Sequence, residues 1–185
     1  MKILGAGLRL DVVLIRHAEP IAKPDRSPSQ WQLSTRGEED SRDLGAHLSN
    51  CGLLRIVTSP EEKAWATASA VAEALGVSVK TDHRLVEVQR PWTEGNFDRA
   101  VERYLQGSLV EGWEPMEQVV SRLVDALASH SGEGPIGFVT HGTAMACLVG
   151  AVCSIDRVLF WSDLTMPDAW TLSDQGATRL YHLES

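Results

Sequence analysis

Three short stretches place chemically capable side chains directly behind apolar runs. Arg16 and His17 follow Asp11-Val-Val-Leu-Ile15. Behind Arg55-Ile-Val-Thr58 come Ser59 and Pro60, which lead into a helix carrying Lys63 one turn in. His141, Gly142 and Thr143 follow Ile136-Gly-Phe-Val-Thr140. Two imidazoles, a guanidinium, an ammonium and a helix amino terminus around one crevice would be costly if empty. Such a cluster suits a phosphoryl group, whose oxygens take N–H donors and positive charge. A neutral imidazole at its centre can attack phosphorus, so the reading is covalent catalysis through a phosphorylated histidine. Gly5-Ala-Gly7 precedes a strand instead of following one and lacks a third glycine, so it is no dinucleotide loop. The sequence also holds no P-loop, zinc-protease helix or serine elbow.

The elements that must bring these stretches together alternate along the chain. Residues 11–15 and 136–140 read as strands of the kind buried on both faces, and 55–58 and 77–81 as two further strands. Thr35-Arg-Gly-Glu38 has capping-box spacing and opens a helix to about Asn50, with Gly52 as its stop. Ser59-Pro-Glu-Glu62 reads as a helix start with Ser59 as the cap, and that helix ends at Leu75 before Gly76. Further helices are expected over Asn96–Gln106, Met116–Ser129 and Thr143–Val152, followed by a closing hairpin over Ala169–His182. This order predicts an α/β fold: a three-layer α/β/α sandwich with a mostly parallel central sheet. Ligands of such sheets bind beyond the carboxyl ends of the strands, where all three stretches lie.

Composition sets the outer bounds. The 185 residues are 43% apolar and 23% charged, which fits one globular domain spanning 1–185. Residues 1–10 read as an amino-terminal extension and about 88–115 as an irregular, lid-like insert. A net charge of −8 argues against charge-driven binding to nucleic acid or an anionic membrane, since both need a basic surface. Three scattered cysteines make neither a disulfide framework nor a zinc knuckle. No apolar run approaches the roughly 20 residues of a membrane span, and the start of the chain lacks a convincing secretory signal. The expectation is a cytoplasmic protein, monomeric or homodimeric, whose partner is a small phosphorylated metabolite.

Five motifs then keep step with one family. Leu14-Ile-Arg-His-Ala-Glu-Pro20 resembles the Arg-His-Gly signature of the histidine phosphatase superfamily, the phosphoglycerate-mutase-like fold. Leu33-Ser-Thr-Arg-Gly37 resembles the family's Leu-Thr-x-x-Gly, and Thr58-Ser-Pro-Glu-Glu-Lys-Ala-Trp-Ala-Thr-Ala68 resembles its Ser-Ser-Pro-x-x-Arg-Ala-x-x-Thr-Ala. Asp82-His-Arg-Leu-Val-Glu87 is similar to the segment bearing the general acid, and Val139-Thr-His-Gly142 to the second histidine. The resemblance implies that His17 attacks phosphorus while its other ring nitrogen donates to a carbonyl. It implies that Arg16 grips the phosphoryl oxygens, with Lys63 where the family has a second arginine, and Ser59, Gly142 and Thr143 lining the same site. His141 then stabilises the transition state, and Glu87 protonates the leaving oxygen before activating water. The implied scheme uses no metal and no organic cofactor.

Two positions depart from the pattern. Lys63 exchanges a planar fork for a point charge, and the alternatives are a solvated helix cation or a substitute role for Arg84 or Arg90. Ala18 stands where the family has glycine, and its methyl either crowds the phosphate or demands φ < 0 there. Trp92 and Trp113, in the irregular middle, are candidates to stack on substrate, while the other tryptophans read as core. His47, His83, His130 and His182 read as solvated or capping, and Glu19 has no assigned role. The expected activity is phosphomonoester hydrolysis. Its rivals are a cofactor-dependent phosphoglycerate mutase and a catalytically weak module that binds a phosphorylated ligand.

Overall fold

The apolar run after Asp11 becomes the strand at the heart of the molecule. In the computed structural model, which describes residues 12–91, 95–130, 132, 134–173 and 176–183, it spans Val12–Arg16 (β1). Around it lie α1 (Thr35–His47), β2 (Arg55–Thr58), α2 (Glu62–Leu75), β3 (Ser78–Thr81), α3 (Phe97–Leu105) and α4 (Met116–His130). The chain continues through β4 (Ile136–Thr140), α5 (Gly142–Val152), α6 (Arg157–Asp163), β5 (Asp168–Ser173) and β6 (Gly176–His182).

These strands form one six-stranded sheet in the order β3-β2-β4-β1-β5-β6. The pairs β1–β4, β2–β4 and β2–β3 are parallel, while β5 and β6 close one edge antiparallel. Side chains alternate across the sheet as the two-residue strand period requires. Val12, Leu14, Val57, Ile136 and Phe138 face one core cluster, shared with α3, α4, α5 and α6. Val13, Ile15, Ile56 and Val139 face the other, packed on α1 and α2. The protein is therefore the expected three-layer α/β/α sandwich. No helix among the described residues is long and apolar enough to cross a membrane.

Helix ends follow local chemistry, with three departures from the sequence reading. The cap of α1 is Ser34, one residue earlier than expected, and its side chain accepts from the Gly37 N–H. Gly37 is required by a close approach, because a Cβ there would collide with the Glu19 carbonyl oxygen. The cap of α2 is Glu61 instead of Ser59, so the turn at Ser59-Pro60 stays outside the helix. The short α6 was not foreseen; Asp156 caps it by accepting from the Val158 and Leu159 N–H groups. Left-handed glycines end the α1 region and α2 where expected, at Gly52 and Gly76. Residues 1–10 lie outside the described residues. Within 88–115, α3 buries Val101, Tyr104 and Leu105.

Candidate active site

Parallel pairing aligns the three chemical stretches. Arg16 is in register with Thr140, and Thr58 with Val139. The next residues stay tied across the sheet: the His17 N–H donates to the Thr140 carbonyl at 3.1 Å and the Ser59 N–H to the Val139 carbonyl at 3.0 Å. His17 and His141 therefore leave neighbouring strands at the same level, and their ring centroids lie 5.1 Å apart. Both are buried. His17 Nδ1 bonds the Ala18 carbonyl at 2.7 Å. That oxygen only accepts, so the proton sits on Nδ1 and the Nε2 lone pair is left free.

The rest of the cluster closes around the two rings. Arg16 Nη1 donates to the Leu164 carbonyl at 2.9 Å, which fixes the guanidinium over Gly142. A Cβ on Gly142 would come within 3.0 Å of Arg16 Nε. A side chain there would press on the guanidinium and push it by a few tenths of an ångström. His141 Nε2 lies 3.0 Å from Ser59 Oγ and 3.3 Å from Glu61 Oε1. Lys63 is buried, so the solvated-cation alternative is wrong. Its ammonium donates to the Pro28 carbonyl at 2.8 Å and to Glu61 Oε2 at 2.5 Å. Glu61, at a variable position of the motif, was missed. The signal available was an acidic pair just before Lys63, which reads as an ordinary helix amino terminus.

Glu87 reaches the same place from a loop. Its Oε1 accepts from the Val88 and Ala144 N–H groups, both at 2.9 Å, and its Oε2 from the Thr143 N–H at 3.3 Å. Thr143 thus meets Glu87 through its backbone. Arg122 braces the loop by donating to the carbonyls of Arg84, Val86 and Glu87 while its guanidinium is paired with Glu114. Thr140 Oγ1 adds a bond to the Leu85 carbonyl at 2.7 Å. All eight site residues expected from the sequence therefore gather at the carboxyl end of β1, β2 and β4. Among the described residues no group of three or more His, Cys, Asp or Glu side chains is set to hold a metal ion.

The sequence pattern of the Histidine phosphatase superfamily (branch 1) matches residues 12–172, which is most of the chain. This protein belongs to that superfamily. It is 28% identical to a Citrobacter koseri protein named "Probable phosphoglycerate mutase GpmB", over 90% of this chain and 93% of the relative. Its fold resembles a mycobacterial glucosyl-3-phosphoglycerate phosphatase, with a TM-score of 0.68 and 22% identity over 86% of this chain and 87% of that one. It also resembles Bacillus stearothermophilus YhfR, with a TM-score of 0.66 and 21% identity over 91% and 95% of the two chains.

The departures of this superfamily member from its family pattern now have physical explanations. Among the described residues the only non-glycine residue with positive φ is Ser154, so Ala18 adopts the negative φ it needs. The Ala18 N–H donates to Thr67 Oγ1 at 3.0 Å, tying the residue after His17 to α2. Arg84 does not fill the place of the missing arginine, because it is locked onto Asp82 and Ser129. Arg90 is different. Its guanidinium lies 4.3 Å from the Phe97 ring centre and 5.2 Å from that of Trp113, and no ion pair engages it among the described residues. Trp113 is buried between Arg90 and Tyr104, so it serves the core. Trp92 lies outside the described residues. His130 is not solvated but buried against Asp82, with Nε2 at 3.0 Å from Oδ2. Glu19 accepts from Ser34 Oγ at 2.7 Å, which anchors the turn before α1.

Burial is the main electrostatic force on both histidines. It holds His17 well below the ordinary value of 6.5, with His141 and Lys63 adding to the effect and the Ala18 bond opposing it. Burial, then the charges of Lys63, Arg122 and Arg16, does the same to His141. As pH falls through 6.5 the unfolded chain therefore takes up protons that the folded chain refuses. The unfolded state binds more protons, so stability rises with pH over this range and is lost as pH falls. Thermal unfolding followed by circular dichroism should show a Tm that decreases from neutral pH to about pH 5, above the range where carboxylates dominate. His141→Asn should flatten that slope. A Tm that is constant or rising in the wild type would contradict neutral buried imidazoles.

Proposed function

We propose that this protein is a metal-independent phosphomonoester hydrolase that acts through a phosphohistidine intermediate on a small phosphorylated metabolite. The observation that carries the reading is the orientation of His17, whose Nδ1 is engaged by the Ala18 carbonyl while Nε2 faces the cluster. In the proposed cycle Nε2 attacks phosphorus in line and the ester oxygen leaves with a proton from Glu87. Arg16, Lys63 and His141 offset the charge that builds on the phosphoryl oxygens. Glu87 then takes a proton from water, the water oxygen attacks the phosphohistidine, and phosphate departs with His17 neutral again. The named relatives favour a substrate of this class, since their names refer to phosphoglycerate and to glucosyl-3-phosphoglycerate.

A second reading changes only the acceptor, returning the phosphoryl group to a sugar-acid hydroxyl as a phosphoglycerate mutase. It draws on the names of the curated relatives and on Arg90, a cation without an ion-pair partner among the described residues that could hold a carboxylate. The acidic excess of the same span, Glu94, Asp98, Glu102, Glu111, Glu114 and Glu117 against Arg90, Arg99, Arg103 and Arg122, opposes it.

One assay set separates these readings. With p-nitrophenyl phosphate, turnover should survive a chelator and be inhibited competitively by orthovanadate, a five-coordinate mimic of the transferring phosphoryl group. Complete loss of activity in the chelator would remove the metal-free scheme. Incubation with 3-phosphoglycerate and its bisphosphate should release free phosphate; accumulation of 2-phosphoglycerate would establish the mutase instead. Phosphate binding without turnover on any ester would mark a binding module.

A further inference from the structure

Glu61 takes no part in the cycle above, yet it stands among the groups assigned to the phosphoryl oxygens. Its Oε2 accepts from the Lys63 ammonium at 2.5 Å. Its Oε1 accepts from the Glu87 N–H at 2.9 Å and lies 3.3 Å from His141 Nε2. The side chain is only 10% exposed, so these contacts are made out of bulk water. Its own N–H is tied to Ser59 Oγ at 3.3 Å, which fixes where the side chain starts. One carboxylate thus bonds donors from two separate elements, α2 and the loop after β3, and lies beside the ring of the residue that opens α5. A carboxylate and a phosphoryl group ask the same of such donors, namely N–H groups converging on oxygens that share negative charge.

We propose that Glu61 is an internal anion of this site, holding Lys63 and His141 ready in the free enzyme, and that a bound phosphoryl group takes these donors from it. This rests on the reading of the cluster as a phosphoryl site. It explains two features at once. The ammonium of Lys63 is buried and would be uncompensated between turnovers without a counter-ion. Glu61 also offsets one of the cations of the site, Arg16 and Lys63, so an entering dianion is drawn in less strongly than it would be without this carboxylate. Glu61 consequently weakens the hold on free phosphate and speeds its release. Lys63, a single point charge on a flexible stem, can move between two anions more easily than a bidentate arginine fork.

The test is calorimetric titration of inorganic phosphate into the wild type and Glu61→Gln, alongside steady-state kinetics on p-nitrophenyl phosphate. Glu61→Gln keeps the shape and removes the charge. It should bind phosphate and orthovanadate about tenfold more tightly and show a matching fall in KM, with no gain in kcat. Equal or weaker phosphate affinity in Glu61→Gln would overturn the proposal and leave Glu61 as a brace for Lys63. A crystal structure of the wild type with orthovanadate gives a second check that needs no variant. The oxyanion should lie on Lys63 and His141 with Glu61 turned aside; an anion bound while Glu61 keeps both contacts would overturn the proposal. The two layers fail differently. Absence of wild-type turnover sinks the hydrolase reading while the titrations remain readable, and absence of phosphate binding by either protein sinks both.

Discussion

Replacing His17 by alanine should lower turnover by on the order of 10⁴-fold or more and eliminate any acid-labile phosphoenzyme. The size of the effect follows from how few substitutes the site offers. Cys147 is buried in α5, and burial pushes its thiol up to about 12, so it carries almost no thiolate near neutral pH. Ser59 is the one rival that geometry makes credible, since its Oγ lies 3.0 Å from His141 Nε2 in the manner of a serine–histidine pair. Yet Ser59 is fully buried, its oxygen also accepts from the Glu61 N–H, and a carboxylate next to His141 Nε2 favours the proton on that nitrogen. A histidine in that tautomer cannot take the serine proton through Nε2. The two nucleophiles leave different signatures after acid quenching, because phosphohistidine hydrolyses in acid and phosphoserine survives it. Labelled ester, rapid quench and separate acid and alkaline washes would therefore read the nucleophile directly. Turnover persisting in His17→Ala with an acid-stable phosphoenzyme would move the chemistry to Ser59.

How far such arguments reach from sequence alone depends on which force places each residue. His17 and His141 were legible because each follows an apolar run too short and too β-branched to be a helix. Two such runs buried on both faces must pair in parallel, and parallel pairing aligns their ends. Lys63 was legible as a position on α2, but its burial was not, because that depends on the Pro28 carbonyl reaching it from a loop. Glu87 could be picked out only through the family motif. It sits in irregular chain held by Arg122 from α4, 35 residues away, and no periodicity announces that contact. Glu61 had no signal at all beyond an acidic helix start. The same limit explains His130, which read as exposed near a helix end and is buried because Asp82 supplies a partner. It explains α6 as well, whose seven residues are too few for a helical period to emerge. Local pattern found the strands that aim the chemistry; long-range polar contacts, which leave no pattern, decided how the aimed groups are charged and braced.

Glu87→Gln should separate protonation from positioning, because glutamine keeps a carbonyl oxygen for the Val88 and Ala144 N–H groups but cannot donate or accept the catalytic proton. For an alkyl phosphate, whose alkoxide leaves poorly without a proton, kcat/KM should fall by about 10²- to 10⁴-fold. For p-nitrophenyl phosphate the leaving group departs as a stabilised anion, so phosphoryl transfer to His17 should be largely spared. The second half-reaction has no such escape. Water must still lose a proton to attack phosphohistidine, so a burst of p-nitrophenol followed by slow turnover is expected, with phosphoenzyme accumulating. A purely structural role predicts something else: if Glu87 only anchors the start of α5, both esters lose rate equally and no burst appears. Arg122→Met supplies the contrast. It removes the donors to the carbonyls of Arg84, Val86 and Glu87 while leaving the carboxyl group itself in the chain. Loss of that brace should reduce both esters together and lower Tm, because a mispositioned acid and a loosened loop act on every substrate alike. Equal losses in Glu87→Gln would place it with Arg122, as a residue that holds the site without taking part in its proton transfers.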